Sequence, residues 1–312
     1  MIVNDVTTLI GHTPLFEFEA EAFGGPATSK IYAKLEYVNP GGSIKDRLGV
    51  YLLKTALAEG KLKKGSTVIE PTAGNTGIGL ALAAIKYGVK VLFVVPEKFS
   101  VEKQQLMKAL GATIVHTPTK AGIVGAIAKA KDLHATIPNS YLPLQFENED
   151  NSQAYTMSLG PEIFAELPMI DSFVAGIGSG GTFAGTARFL KEKLPNLRLI
   201  GVEPEGSILN GGPAHGHEIE GIGVEFIPRF LTGLPIDHFA TIRDATGFAY
   251  TRQLARSYGL LIGSSSGAAF AAAVEESQQL PAGSKILTIF PDGGERYLSK
   301  NIYEEPITKG GV

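Results

Sequence analysis

The sequence predicts an α/β protein with two open, mostly parallel sheets flanked by helices. Three observations carry that expectation. Short runs rich in Val and Ile alternate with longer stretches of helical period, the pattern of parallel strands joined by crossover helices. Glycine-rich turns stand where an apolar run gives way to a helix, as in ligand-binding α/β folds. The length of 312 residues suits two domains of ordinary size, each with a sizeable core.

Taken in order, the strands are expected at 67–69, 91–95, 113–116 and 141–145, then at 172–175, 198–202, 260–262 and 286–290. Helices are expected at 43–60, 76–88, 101–111, 121–136 and 182–194, several closed by a Gly at the first position past the end. The first of them has the clearest start. Ser43 is placed as its N-cap, and Asp46 three residues later completes an S-x-x-D capping box ahead of Leu48, Leu52 and Leu53. The polar stretch Glu147-Asn-Glu-Asp-Asn-Ser152 separates the two groups of strands and reads as the domain junction.

Composition narrows the function. A hydrophobic fraction of 44%, 19% charged residues and a net charge of −3 describe a soluble globular protein with no electrostatic reason to bind nucleic acid or an anionic membrane. A small-molecule ligand is expected. The absence of cysteine excludes disulfides, thiolate metal sites, iron–sulfur clusters and a cysteine nucleophile. The histidines are scattered without H-x-x-x-H spacing, so no metal site is expected. No basic leader with an apolar run opens the chain, and nowhere do eighteen apolar residues follow one another, which makes cytoplasmic residence the expectation.

Three loops carry the chemistry. Asn39-Pro-Gly-Gly-Ser-Ile-Lys45-Asp-Arg47 puts Lys45 in the first turn of a helix, where a lysine can act as a Schiff-base residue, although a lone lysine at a helix start is usually a solvated one. Glu70-Pro-Thr-Ala-Gly-Asn-Thr-Gly77 leads from a strand into a helix, with free backbone N–H groups beside Asn75 and Thr76 suited to a carboxylate. Gly176-Ile-Gly178-Ser-Gly-Gly-Thr182 likewise joins strand to helix, with glycines wherever a phosphate must approach the backbone. That third loop also satisfies the dinucleotide-binding G-x-G-x-x-G pattern, with Glu203 about twenty residues on at the end of the next strand. A nicotinamide dehydrogenase therefore stays open on this motif alone. A dehydrogenase has no stated use for the Lys45 and Asn75 loops, whereas a phosphorylated aldehyde cofactor uses all three.

These residues resemble the fold-type II, tryptophan synthase β-like pyridoxal phosphate enzymes, in the branch of cysteine synthase and cystathionine β-synthase. The resemblance runs through Gly11-His-Thr-Pro14, residues 39–47, 70–77, Ala112, Gly160-Pro-Glu162, 176–182, Gly221-Ile-Gly223, 263–267, Pro291-Asp292 and Glu295-Arg-Tyr-Leu298, almost the whole chain. It implies pyridoxal 5′-phosphate as cofactor and Lys45 as the lysine that holds it and moves the substrate's Cα proton. Asn75 resembles the partner of the cofactor's ring oxygen and Ser265 that of its pyridine nitrogen. Gly178, Ser179, Gly180, Gly181 and Thr182 resemble the phosphate site, with Ser179 where threonine is more usual. Thr72, Ala73, Asn75, Thr76 and Gln145 resemble the clasp for the substrate carboxylate, with Ala73 in place of the commoner serine and one hydrogen bond fewer expected there.

The resemblance further implies a smaller, mobile clasp domain at 35–146, a larger cofactor domain made of 1–34 and 147–312, and a homodimer. The implied reaction is β-replacement on O-acetylserine or serine by a thiol. Residues 96–103, 202–209 and 218–228 look more like cystathionine synthases than sulfhydrylases, so homocysteine is the expected acceptor and cystathionine the product. Sulfide, giving cysteine, is the alternative. The short stretch before Gly11 and the short one after Tyr297 leave no haem extension or adenosylmethionine-binding regulatory pair to be expected.

Overall fold

The computed structural model describes residues 2–72 and 74–305. Its strands are β1 (Leu15–Glu19), β2 (Lys30–Leu35), β3 (Thr67–Pro71), β4 (Lys90–Pro96), β5 (Thr113–Thr117), β6 (Ser140–Tyr141), β7 (Ser172–Gly176), β8 (Arg198–Pro204), β9 (His238–Ile242) and β10 (Lys285–Phe290). The helices are α1 (Lys45–Ala58), α2 (Asn75–Tyr87), α3 (Val101–Ala109), α4 (Gly122–Thr136), α5 (Asp150–Thr156), α6 (Leu159–Glu166), α7 (Gly181–Lys193), α8 (Asp244–Tyr258) and α9 (Ser264–Gln279). They form a six-stranded sheet in the order β1-β2-β10-β7-β8-β9 and a four-stranded sheet in the order β5-β4-β3-β6. All pairings are parallel except β1 with β2. The α/β class with two mostly parallel sheets is therefore the observed one.

The parallel strands read as near-continuous apolar runs because helices cover both faces. Phe173, Val174, Leu199, Ile200, Leu287 and Ile289 are all buried. Between the sheets, α1 lies against α2 with its backbone almost touching. A Cβ at Gly49 would stand 2.2 Å from the Gly79 carbonyl oxygen, and one at Gly79 would stand 2.2 Å from that of Lys45. Only glycine allows this approach, and it ties the start of α1, and with it Lys45, to the helix that follows the Asn75 loop.

Four local expectations are corrected. The run 260–262 is no strand: Ile262 makes one isolated antiparallel bridge with Gly293, and Leu261 is 58% exposed as the chain turns into α9. The strand expected at 141–145 stops at Tyr141, because Pro143 has no N–H to pair and Leu144 takes a left-handed φ of 53°. The capping box at 43–46 does not close. Ser43 Oγ accepts from Lys45 N at 3.2 Å, but the Asp46 carboxylate accepts from Gly41 N, since Gly42 at φ 76° folds the loop back over the helix start. The edge strands β1 and β9, and β2 beside β1, were not expected. β1 and β9 each have one partner, and β2 carries Lys30 and Lys34, so their apolar signal is diluted.

Candidate active site

The C-terminal ends of the strands in both sheets open onto one cavity of about 630 Å³. Lys45 enters it from the first turn of α1. Its Nζ lies 3.4 Å from Tyr155 Oη and 3.5 Å from Thr182 Oγ1, and among the described residues no carboxylate forms an ion pair with it. An amine held by hydroxyls and an aromatic ring keeps its lone pair accessible once deprotonated. The loop after β3 brings in Thr72, Asn75 and Thr76, the chain after β6 brings Gln145, and the first turn of α9 brings Ser265. Ala73 lies outside the described residues.

The loop after β7 is a cup of open donors. Among the described residues no acceptor meets the backbone N–H groups of 178–182, which crown the N-terminus of α7. The glycines are sterically required: Gly180 sits at φ 85°, and a Cβ at Gly178 would stand 2.5 Å from the Gly221 carbonyl oxygen. Thr182 and Ser179 turn hydroxyls toward this space, Ser179 Oγ also accepting from Asn151 Nδ2 at 3.1 Å. Gly181 packs against Asn151 and does not line the cavity. A phosphate monoester fits a cup of this kind, and the amine of Lys45 on the same cavity fits the aldehyde end of pyridoxal phosphate.

On the opposite wall, Thr76 Oγ1 donates to Gln145 Oε1 at 2.7 Å, and Thr72 Oγ1 accepts from Gly74 N at 3.4 Å. Asn75 is more heavily engaged than the sequence suggests. Its Nδ2 donates to Asp292 Oδ2 at 2.7 Å and its Oδ1 accepts from Arg296 Nη1 at 2.7 Å. Asp292 Oδ2 also accepts from the Tyr297 hydroxyl, whose ionisation burial and the Asp292 charge push far upward, so Tyr297 is a hydrogen-bond donor and no base. Arg296 reaches on to the Gly41 carbonyl at 3.0 Å and so links the Lys45 loop to the Asn75 loop. The Pro291-Asp292 and Glu295–Leu298 motifs were visible in the sequence, but their roles depend on side chains more than two hundred positions away. Tyr155 gave no sequence signal.

Two charge clusters complete the surroundings. At the cavity mouth Lys103 Nζ donates to Glu220 Oε2 at 2.8 Å and lies 4.3 Å from the centroid of the Tyr297 ring, with Lys300 Nζ 3.7 Å from Glu220 Oε1. Behind the Lys45 loop, Arg47 binds Glu36 at 2.8 Å and Glu162 at 2.9 Å, and Lys34 binds Glu162 at 2.9 Å and Glu166 at 3.0 Å. Burial opposes ionisation of Glu162, yet Arg47 and Lys34 pull its carboxyl down to about 2. Glu203, the acidic residue of the dinucleotide reading, is buried and accepts from Leu209 N at 2.7 Å, Asn210 N at 3.1 Å and Thr241 Oγ1 at 3.0 Å. Its oxygens fold a loop of its own and are not presented to a ribose.

The family model of pyridoxal-phosphate dependent enzymes matches residues 6–292. The chain belongs to this family. It is 63% identical over 304 residues to a cysteine synthase of Helicobacter pylori, covering 97% of this chain and 100% of that one. It is 55% identical over 304 residues to the O-acetylserine dependent cystathionine beta-synthase of Bacillus subtilis, covering 97% and 98% of the two chains. Among solved structures, the O-acetylserine dependent cystathionine beta-synthase of Helicobacter pylori superposes with a TM-score of 0.95 at 63% identity, over 97% of this chain and 100% of that one. The protein is thus a pyridoxal-phosphate-dependent β-replacement enzyme, and the dehydrogenase reading is set aside. Among the described residues no helix is long and apolar enough to cross a membrane.

Proposed function

We propose that the chain replaces the β-substituent of O-acetylserine with homocysteine, releasing acetate and cystathionine. The observation that carries this reading is the Lys103–Glu220 pair at the cavity mouth. It joins two of the three segments that resemble cystathionine synthases, 96–103 and 218–228. Homocysteine brings an α-carboxylate and an α-ammonium, which need a cation and an anion set side by side, whereas sulfide needs neither. Lys103 is backed by an aromatic ring and Glu220 remains half-exposed, so each can exchange its present partner for one end of a zwitterion.

The remaining roles belong to the same proposal. Bound pyridoxal phosphate supplies an electron sink for charge developing at the substrate's Cα. The N–H groups of 178–182, with the Ser179 and Thr182 hydroxyls, would hold its phosphate, and Ser265 Oγ would serve its ring nitrogen. Asn75 Nδ2 keeps a second hydrogen for the ring oxygen while the first stays on Asp292. Thr72, Asn75, Thr76 and Gln145, with Ala73, clasp the substrate carboxylate and so orient the Cα–H bond toward Lys45. Lys45 Nζ takes that proton, the Cβ–O bond breaks with acetate carrying its electron pair, the sulfur of homocysteine bonds to Cβ as the thiolate after losing its proton to solvent, and Lys45 returns the proton to Cα. Thr72, Asn75 and Thr76 follow β3 and Gln145 follows β6 of the smaller sheet, and we read 35–146 as a mobile domain that closes on the substrate; a homodimer is the assembly we expect, read by sedimentation.

The test mixes the holoenzyme with O-acetylserine and equimolar homocysteine and sulfide and identifies products by mass. A majority of cystathionine is the expected result. A majority of cysteine would favour the second reading, sulfhydrylation, which the cysteine synthase relative supports.

A further inference from the structure

Glu70 has no part in the roles above, does not line the cavity, and is 1% exposed near the end of β3. Its two oxygens are nevertheless fully directed. Oε2 accepts from Leu144 N at 2.8 Å and Oε1 from Gln145 N at 3.1 Å. Leu144 is the residue held at φ 53°, a left-handed conformation that costs a leucine roughly 1–3 kcal/mol and persists only where its surroundings impose it. Burial raises the Glu70 carboxyl from 4.5 to about 7 against the pull of these two N–H groups, so above that pH a carboxylate on β3 draws two consecutive N–H groups inward at the left-handed turn.

That turn sets Gln145. From it the Gln145 side chain reaches Thr76 Oγ1 at 2.7 Å across the clasp, and the Gln145 carbonyl accepts from Asn151 Nδ2 at 2.7 Å. The same Asn151 amide touches Ser179 Oγ in the phosphate cup. One buried carboxylate thus fixes the backbone at the point where the clasp wall meets the cup. We infer that Glu70 is a positioning residue for the substrate carboxylate, acting through the Leu144–Gln145 turn and never touching the substrate. The inference rests on the proposal that Gln145 belongs to the clasp, and its test separates the two.

The experiment titrates holoenzyme with L-alanine, an amino acid with no leaving group, following the cofactor absorption band, and compares wild type, Glu70→Gln, Gln145→Ala and the double variant. The amide of Glu70→Gln faces one backbone N–H with a donor, so the turn loosens. At about pH 8, above the raised value of Glu70, Glu70→Gln is expected to raise the alanine dissociation constant and the O-acetylserine KM about tenfold, the loss of one charge-assisted hydrogen bond, while kcat and the thiol KM stay within about threefold. In the Gln145→Ala background the Glu70 substitution should add nothing further. Effects that multiply in the double variant would mean general loosening and overturn the inference, as would unchanged binding in Glu70→Gln with Gln145→Ala impaired. Unchanged alanine binding in Gln145→Ala would instead remove Gln145 from the clasp. Glu70→Asp, which keeps the charge but withdraws it by one methylene, runs the same cycle if the amide variant does not yield folded protein.

Discussion

Two clusters of paired charges flank Lys45, and they differ in how far they are closed. Behind the Lys45 loop, Lys34, Glu36 and Arg47 have side chains 0%, 0% and 3% exposed, and every charged group there meets at least one opposite charge. At the cavity mouth, Lys103 and Glu220 form a comparable ion pair; the Lys103 side chain is only 6% exposed, but Glu220 is 32% and Lys300 61% exposed, and the cavity opens beside them. The first cluster has no room for a ligand and joins the Gly11 loop, β2, α1 and α6 into a fixed base. The second has already given up part of its hydration and still faces open space, the condition in which charges recognise a zwitterion. On the proposed reading, equal partners and distances serve structure in one place and binding in the other, and the open space beside the second pair makes the difference.

The largest effect is expected at the residue between the clusters. Lys45→Ala should lower turnover at least ~10³-fold, the scale of a lost acid–base group, while circular dichroism stays that of a folded protein. Retained turnover would remove Lys45 from the chemistry. Next, Arg47→Met leaves Glu36 buried without a cation and Glu162 with Lys34 alone and should cost ~3–5 kcal/mol in urea unfolding, whereas Lys103→Met leaves Glu220 32% exposed and beside Lys300 and should cost ~1 kcal/mol or less. Equal losses would erase the distinction between the clusters.

The complementary kinetic test is Lys103→Gln, expected to raise the homocysteine KM about tenfold with the sulfide KM unchanged. A parallel change for both thiols would assign the mouth pair to architecture.

The pH dependence sharpens the comparison further. Glu162 is lowered from 4.5 to about 2, so its contribution to stability is present above pH 4.5 and is lost as pH falls through 2. Asp46, beside the Lys45 loop, is raised by burial from 3.8 to about 7, against the pull of the Gly41 N–H and Arg296. Its protonated form suits the fold: stability is fully present below pH 3.8 and lost as pH rises through 7. Thermal melts of wild type between pH 5 and 8 should show a decline that Asp46→Asn flattens in part, since burial raises Glu70 to about 7 as well. The smallest effect is expected for Ser179→Thr, which keeps the hydroxyl at the phosphate cup and should change the affinity of the apoprotein for pyridoxal phosphate less than about threefold in a fluorescence titration.

Much of this molecule is written locally in its chain. Apolar runs of strand length, the glycines of the loop from Gly176 to Thr182, and Lys45 just after a glycine turn are properties of a few consecutive residues, and local sterics and burial act on the same few residues. For that reason the central strands were legible, and so were the loops of the candidate site, whose residues Lys45, Thr72, Asn75, Thr76, Gln145, Ser179 and Ser265 the structure gathers on one cavity. Tertiary structure decided whatever depends on a distant partner. β1 is a strand because β2 offers an edge to pair with, and the 260–262 run is none because only Gly293 meets it. The Asp46 carboxylate, placed in a capping box by its spacing, turns instead to Gly41 because Gly42 folds the loop back upon it. Lys103 meets Glu220 across 117 positions and Asn75 meets Asp292 across 217. Spacing along the chain carries no information about such pairs, since closing loops of that length depends on the packing of both sheets as a whole.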